Sequence, residues 1–301
     1  MRGNWGAVVA VITLVLSCAC GAGQDPPPVF PWNLSVLGLP SAWGVSRGDG
    51  QVIAILDSGL ADHGLPSLHG RVVWAHSVIE DTAADRFGHG TAVASLAAGS
   101  GDASVWGVAP HAKVMPVRVV GLNGLASPGA VASGIRWATS HGATVVNLSL
   151  GMAAEDPDIA GSVSDALDAG VIVVAAAGDS AGAGPLFPAS QKGVLAVRGI
   201  GQDGTPGPRA NPAGPGGIDA PGRRLVAVLS SSGAPRPIAG SVSGSSYAAA
   251  EISGVVALLQ SCAANHGHKL TSVDILHALR AGSADAFPST LSTALGVVGC
   301  N

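Results

Sequence analysis

A serine at the start of a long apolar segment is the first feature of this sequence that could do chemistry. Ser246 lies in a Gly-Ser-Ser-Tyr-Ala segment, and an apolar run over residues 255–259 follows. A small-residue turn that leads directly into a buried helix would place the Ser246 hydroxyl at the positive end of the helix dipole. The backbone N–H of the same residue would be free to bind an oxyanion. Taken alone, the pattern is more typical of an ordinary helix N-cap than of a nucleophile.

Two upstream segments supply the partners that a serine nucleophile needs. Asp57 follows the apolar run 52–56, which predicts a strand buried on both faces, and open α/β sheets place their ligands at such carboxyl ends. His89 lies between Gly88 and Gly90, directly before a helix-forming run, so that backbone can approach it closely on either side. A carboxylate, an imidazole and a hydroxyl are the groups that nucleophilic catalysis by serine requires.

The order of these motifs resembles that of the subtilisin-like serine proteases, or subtilases. The motifs are Asp57-Ser-Gly, Gly-His89-Gly-Thr and Gly-Ser-Ser246-x-Ala, in the chain order Asp, His, Ser. Five further segments resemble core segments of the family, namely residues 106–110, 117–120, 145–151, 173–178 and 187–189. The resemblance covers about residues 32–299, which is nearly all of the chain after its N-terminal segment.

The resemblance implies a serine endopeptidase. Ser246 would attack a peptide carbonyl, His89 would take the hydroxyl proton and return it to the leaving amine, and Asp57 would fix the imidazole tautomer. An extended substrate would pair with backbone segments of the protein by β-augmentation. The residues that the family resemblance places in those segments are Gly124, Leu125, Ser149, Leu150 and Gly151. Residues 149–151 are also compatible with a simple strand end.

Asp179 departs from the family pattern. Members of the family usually carry Asn at this position, after Ala-Gly, and the Asn amide donates a hydrogen bond to the oxyanion. Asp179 would donate only when protonated, and an ionised carboxylate would repel the developing negative charge. We therefore expect an atypical oxyanion hole with Asp179 in it and an attenuated activity that mildly acidic pH favours.

The hydrophobic pattern predicts the same architecture as the resemblance. Predicted strands cover residues 52–56, 114–120, 144–150, 171–177, 194–197 and 225–229. Predicted helices cover residues 90–98, 129–139, 162–168, 247–260 and 272–280. This alternation predicts an α/β fold, a three-layer subtilisin-like arrangement with a mainly parallel sheet and helices on both faces. The sequence shows no second domain and no internal repeat.

The N-terminus is typical of an export signal. Arg2 precedes an unbroken apolar run, 7–16, and small residues follow, so residues 1–23 are predicted to be a signal peptide. The run that ends at Cys18 also resembles a bacterial lipobox, which would leave Cys18 acylated as a lipid anchor. We expect an exported bacterial protein, secreted, periplasmic or membrane-anchored. Residues 24–31 are predicted to form a proline-rich spacer and 32–301 the catalytic domain, and we expect no propeptide domain.

Composition limits the partners. The net charge is −4 and only 11% of residues are charged, which argues against nucleic acid as a partner. We expect a monomer that acts on protein or peptide substrates and needs no cofactor. No metal site is predicted, because the loop 100–105 has a single carboxylate, Asp102, where the family can bind calcium. Cys262 and Cys300 would form either a disulfide or two separate buried thiols.

A second hypothesis is a weakly active or inactive protein of the subtilase fold that binds extended peptides or a partner protein. The intact set of Asp57, His89 and Ser246 favours the enzyme, because a decayed site is expected to lose such residues early. Asp179 and the short segment before residue 32 favour the binding protein.

Overall fold

A computed structural model describes residues 30–61, 65–101, 105–230, 238–281 and 291–300. The chain divides into two units, Met1–Phe30 and Pro31–Asn301, and only Phe30 of the first unit is described. The predicted signal peptide with Cys18, most of the spacer 24–31, and Asp102 therefore lie outside the described residues.

A seven-stranded sheet forms the centre of the unit Pro31–Asn301. Its strands run in the order β2-β3-β1-β4-β5-β6-β7, and every neighbouring pair is parallel. The strands are β1 (Val52–Asp57), β2 (His76–Ser77), β3 (Lys113–Arg118), β4 (Val145–Leu148), β5 (Ile172–Ala176), β6 (Leu195–Ile200) and β7 (Ile218–Pro221). Because β3 and β4 lie on opposite sides of β1, a crevice forms at the carboxyl end of β1.

Eight α-helices are described around the sheet. They are α1 (Trp32–Val36), α2 (Leu39–Ala42), α3 (His89–Ala98), α4 (Pro128–Ser140), α5 (Pro157–Asp168), α6 (Ser245–Asn265), α7 (Ser272–Arg280) and α8 (Leu291–Val297). Local sequence explains several of their starts. The Ser127 and Asp156 side chains cap α4 and α5, each followed by a proline, and Thr271 forms a capping box with Asp274 at α7.

Helix α6 is the longest helix and lies in the core. By length and composition it could cross a membrane, but 89% of its most apolar window is buried inside the protein. It packs against α3 and against strands β1, β4, β5, β6 and β7. A helix that is apolar nearly all round is expected in such a position. Strands β1, β4 and β5 are likewise buried on both faces, and for β1 the unbroken apolar run 52–56 predicted this.

The predicted α/β class with a mainly parallel sheet is confirmed. The predicted strand 225–229 exists but is not part of the parallel sheet. It is β8 (Leu225–Leu229), which pairs antiparallel with β9 (Ile238–Val242) in a separate two-stranded sheet. In β8, Val226 is exposed whereas Leu225, Ala227 and Val228 are buried. A strand with an exposed residue suits a two-stranded antiparallel sheet more than the centre of a parallel sheet, where both faces are covered.

The two cysteines of the described chain form a disulfide. Cys262 near the end of α6 is joined to Cys300 beyond α8, with their Cα atoms 6.2 Å apart. The bond closes a loop with a sequence separation of 38 residues. Closing a loop of this length restricts the unfolded chain and so stabilises the folded one.

We predict that Cys300→Ser lowers the free energy of unfolding by about 2–4 kcal/mol, because the unfolded chain regains its loop entropy. The measurement is the urea midpoint of wild type and variant. Cys262→Ser, which breaks the same bond from the other side, is the matched control and should give a similar loss. An unchanged midpoint in both variants would contradict a stabilising bond.

Candidate active site

The site lies at the carboxyl end of β1, where Asp57 is the last residue of the strand. The Asp57 side chain is 2% exposed. One of its oxygens, Oδ1, accepts a hydrogen bond from the backbone N–H of Ser58 at 2.7 Å. Both carboxylate oxygens lie 2.9 Å from Nδ1 of His89. A buried carboxylate thus holds the imidazole from the sheet side, with Nδ1 as the protonated nitrogen of the pair.

His89 is the first residue of α3, and two glycines let the chain pass around it. Gly88 has φ +97°, and a Cβ there would collide with the carbonyl oxygen of Ser230. A Cβ at Gly90 would collide with the carbonyl oxygen of Gly59. The prediction that backbone approaches closely on either side of His89 is confirmed.

Asp85 fixes the turn that presents His89. Its Oδ1 accepts hydrogen bonds from the N–H groups of Phe87 (3.0 Å) and Gly88 (2.6 Å). Its Oδ2 accepts from the N–H and the hydroxyl of Thr91, at 2.9 and 2.6 Å. A buried carboxylate with four donors at a helix start satisfies the orphan N–H groups and complements the helix dipole. Sequence reasoning missed this residue.

The electrostatic surroundings favour a protonated His89. Burial is the largest influence and lowers the pKa of His89, but the charge and the hydrogen bond of Asp57, together with the charge of Asp85, raise it above the usual 6.5. The net direction is upward. Asp57 therefore stabilises the imidazolium that forms when His89 accepts a proton.

Ser246 lies in the first turn of α6, next in sequence to a residue that contacts His89. The ring of its neighbour Tyr247 lies 5.3 Å from the imidazole, centroid to centroid and tilted by 48°, so the starts of α3 and α6 meet here. Burial, and then the charge of Asp57, raise the pKa of Tyr247, which keeps its hydroxyl neutral. The Ser246 hydroxyl donates to the carbonyl oxygen of Ser149 at 3.0 Å. In this rotamer the hydroxyl proton of Ser246 points at Ser149, the residue after β4, rather than at His89.

A polar network inside the core holds Ser246 in register with β4. The Ser149 hydroxyl donates to the carbonyl oxygen of Ser246 at 2.7 Å, the reverse of the bond just described. Asn147 of β4 donates to the Ser149 hydroxyl at 2.9 Å and accepts from Ser253 of α6 at 3.0 Å. These side chains are buried and each finds a partner, so the network fixes how α6 sits on the sheet.

Asp179 also faces the start of α6, as an acceptor. Its Oδ2 accepts from both the backbone N–H and the hydroxyl of Ser245, each at 2.8 Å. The Ser245 hydroxyl in turn accepts from the N–H of Gly178 at 3.2 Å. Asp179 thereby caps the helix that carries Ser246. Within the described part of the chain, no acceptor is bonded to the N–H of Ser246 itself.

The two predicted substrate segments differ in how free their backbone is. The N–H of Gly124 donates to Gly121 at 3.0 Å, and that of Leu125 donates to the Asn123 side chain at 3.1 Å, so both are engaged within a turn. The backbone groups of Leu150 and Gly151 have no partner among the described residues. Gly151 is exposed and follows β4 directly into the crevice.

Apolar side chains line the approach to the crevice. Leu122 and Leu125 are 63% and 69% exposed, and Phe87 is 50% exposed. The Phe87 ring lies against Gly124, where an added Cβ would come within 3.0 Å of its tip. Phe87 and Tyr247 were missed by sequence reasoning. Their positions, two residues before His89 and one after Ser246, were the available signal.

The geometry thus defines an α/β protein in which Asp57 at the end of β1 holds His89 of α3, and the first turn of α6 contacts that imidazole. The model of the subtilase family matches residues 48–297. The chain belongs to the subtilase family.

Named relatives agree with this assignment. The chain is 36% identical over 241 residues to a "Thermostable alkaline protease" of Halalkalibacterium halodurans, covering 77% of this chain and 63% of that protein. It is 33% identical over 226 residues to "Thermitase" of Thermoactinomyces vulgaris, covering 74% of this chain and 79% of that protein. The match to "M-protease" of Shouchella clausii is 34% over 235 residues and covers 76% of this chain and 59% of that protein.

We predict that Asp57→Asn lowers the pKa of His89 relative to wild type. The substitution removes the charge and the carboxylate hydrogen bond that raise this pKa, while the burial that lowers it remains. The measurement is an NMR titration of the histidine rings, with His89→Gln to assign the signal among the nine histidines. Asp49→Asn, beside the exposed His111, is the matched control and should leave His89 unchanged. An unaltered titration of His89 in Asp57→Asn would contradict the electrostatic account.

Proposed function

We propose that this chain is an exported serine endopeptidase in which Asp57, His89 and Ser246 act as a catalytic triad. The observation that carries the proposal is the buried Asp57 carboxylate, 2.9 Å from His89 Nδ1. The Tyr247 ring contacts the same imidazole, so the start of α6, which carries Ser246, reaches this pair. With Nδ1 protonated and held, Nε2 is the nitrogen free to act as a base. Membership of the subtilase family supports the same assignment.

The reaction proceeds by acyl transfer. When substrate enters, the Ser246 hydroxyl turns from the Ser149 carbonyl towards His89, gives its proton to Nε2 and attacks the peptide carbonyl carbon. His89 then returns that proton to the leaving amine, and the acyl group stays on Ser246. Water, deprotonated by the same nitrogen, hydrolyses the ester and restores the hydroxyl. No cofactor or metal takes part in these steps.

The oxyanion hole rests on the backbone N–H of Ser246. Asp179 lies at the position where the family usually supplies a second donor, but its Oδ2 is occupied by two donors from Ser245. A carboxylate there gives no hydrogen bond to the oxyanion unless its other oxygen carries a proton. We therefore infer a functional but slow enzyme, since loss of one such donor costs on the order of 10²–10³ in rate.

The substrate is an extended peptide with apolar side chains near the scissile bond. The unpaired backbone at Leu150 and Gly151 can accept and donate ladder hydrogen bonds to such a strand. On the opposite wall, the exposed side chains of Phe87, Leu122 and Leu125 offer apolar contact. The N–H groups of Gly124 and Leu125 are engaged, and the Leu125 carbonyl accepts from the N–H of Gly121 at 2.8 Å. Recognition would therefore come through the Gly124 carbonyl and the Leu125 side chain.

Export and a monomeric state complete the proposal. The signal sequence predicted at residues 1–23 supports secretion, and the lipobox-like Cys18 supports anchoring as the alternative. The Cys262–Cys300 disulfide is consistent with an oxidising compartment.

We predict that a fluorophosphonate probe labels the wild type at pH 8 and that Ser246→Ala abolishes the labelling. Asp179→Asn should raise the labelling rate at pH 8 by up to about 10²-fold, because its Oδ1 can still accept from Ser245 while Nδ2 offers the missing donor. The measurement is the rate of probe incorporation into folded protein. Ser245→Ala, which loses the other side of this contact, separates a loosened turn from a new donor and should not raise the rate.

No labelling of folded wild type or of Asp179→Asn would contradict the protease. That outcome would favour the protein that binds extended peptides without cleaving them. A label retained by Ser246→Ala would place the nucleophile elsewhere.

A further inference from the structure

A buried carboxyl group on α6 contacts the N-terminal helix α1. Glu251, five residues after Ser246, is 0% exposed, and Asn33 of α1 is 2% exposed. The Asn33 side chain donates through Nδ2 to Oε1 of Glu251 at 2.5 Å, across 218 residues of sequence. Glu251 is the only acidic or basic residue of α6. This side chain takes no part in the proposed catalysis.

The two remaining polar atoms of this pair are orphaned. Oδ1 of Asn33 and Oε2 of Glu251 are both buried and have no hydrogen-bond partner among the residues that the structure describes. Two acceptors cannot satisfy each other, and each unpaired buried acceptor is costly. A proton on Oε2 turns it into a donor. A carboxylic acid and a carboxamide then pair through two hydrogen bonds, with Nδ2–H to Oε1 and Oε2–H to Oδ1.

No charged group in the described part of the chain compensates for an ionised Glu251. Among the described elements that pack against α6, the ionisable side chains are paired elsewhere: His89 with Asp57, and Arg198 of β6 with Asp219 of β7. Helix α1 carries no charged residue. Burial accordingly raises the pKa of Glu251 to about 8, and the hydrogen bond from Asn33 opposes that shift only in part.

We propose that Glu251 is a neutral carboxylic acid that forms a two-hydrogen-bond latch with the Asn33 carboxamide, and that loss of its proton in alkaline solution releases α1 from α6. The latch joins the first helix of the folded unit to the helix that carries Ser246. It operates independently of catalysis.

The direction of the pH effect follows from the two protonation states. The folded state holds the proton up to about pH 8, whereas the unfolded chain releases it near the ordinary 4.5. The stabilisation is therefore fully present below about pH 4.5 and is lost as the pH rises to about 8. Above this pH the Glu251 carboxylate either stays buried without a compensating charge or becomes solvated because α1 separates from α6.

The test compares the full chain with Glu251→Gln. Gln has the same shape, accepts through Oε1 and donates through Nε2 to Asn33 Oδ1, so it closes the same pair without a proton to lose. Infrared spectra at neutral pH should show a carboxylic-acid carbonyl band in wild type that is missing in Glu251→Gln. That band should disappear as the pH is raised above about 8.

Hydrogen exchange measures the release itself. The N–H of Leu37 donates to the Asn33 carbonyl at 3.0 Å, so exchange of the segment 32–38 reports opening of α1. After correction for the intrinsic rate, its protection should fall at least about tenfold between pH 7 and pH 10 in wild type and stay constant in Glu251→Gln. The difference in melting temperature between the two proteins should grow as the pH rises from about 4.5 to about 8 and stay constant above that.

Two results would overturn the proposal: no carboxylic-acid band in neutral wild type, or an equal pH dependence of exchange in both proteins. If Glu251→Gln does not fold, Asn33→Leu replaces it. Loss of the partner should then move the band to the higher frequency of an unbonded carboxylic acid. An unmoved band would show that Asn33 is not the partner.

Discussion

The start of α6 imposes the constraint on which the site depends. A helix that begins inside a protein exposes its first N–H groups to a place without water, and each must find an acceptor. Here the N–H of Ser245 is taken by Asp179, and those of Tyr247 and Ala248 lie against the carbonyl of Gly244. Only the N–H of Ser246 is left without an acceptor among the described residues. The helix is thus capped everywhere except at the one donor that an oxyanion would use.

The charge of Asp179 is favourable for the fold and unfavourable for the proposed catalysis. Its carboxylate lies at the positive end of a 21-residue helix, where a negative charge is stabilising. The same charge lies near the point where an oxyanion would form, and there it is unfavourable. The contacts with Ser245 explain how the position tolerates Asp: the side chain has a structural partner that does not require an amide. An Asn could keep one of those contacts and add a donor, which is why the two roles can be separated by a single substitution.

Much of the fold and the site could be predicted from the sequence, because both depend on local patterns. The unbroken apolar run of β1 predicted a strand buried on both faces, and Asp57 follows it directly. The glycines around His89 predicted the close approaches of backbone that the structure contains.

The features that could not be predicted from the sequence are contacts between distant segments. The network of Ser149, Asn147 and Ser253 joins residues about a hundred positions apart, and no periodicity in the sequence indicates it. The hairpin of β8 and β9 and the short helix α1 were missed for a related reason, since short elements are formed by their tertiary contacts.

Two ionisable groups on packed helices, His89 of α3 and Glu251 of α6, respond to pH in opposite ways. His89 acts as a base only when it is neutral, and its raised pKa moves that requirement upwards on the pH scale. Glu251 pairs fully with Asn33 only when it too is neutral, which holds below about pH 8. His89 must lose its proton to act as a base, whereas Glu251 must keep its proton to pair with Asn33. Raising the pH therefore favours the base function of His89 and opposes the pairing of Glu251 with Asn33, although α3 and α6 pack directly against each other. The Glu251 carboxyl group has no role in the proposed chemistry, so the pH dependence of stability and the pH dependence of activity can be changed separately through Glu251 and His89.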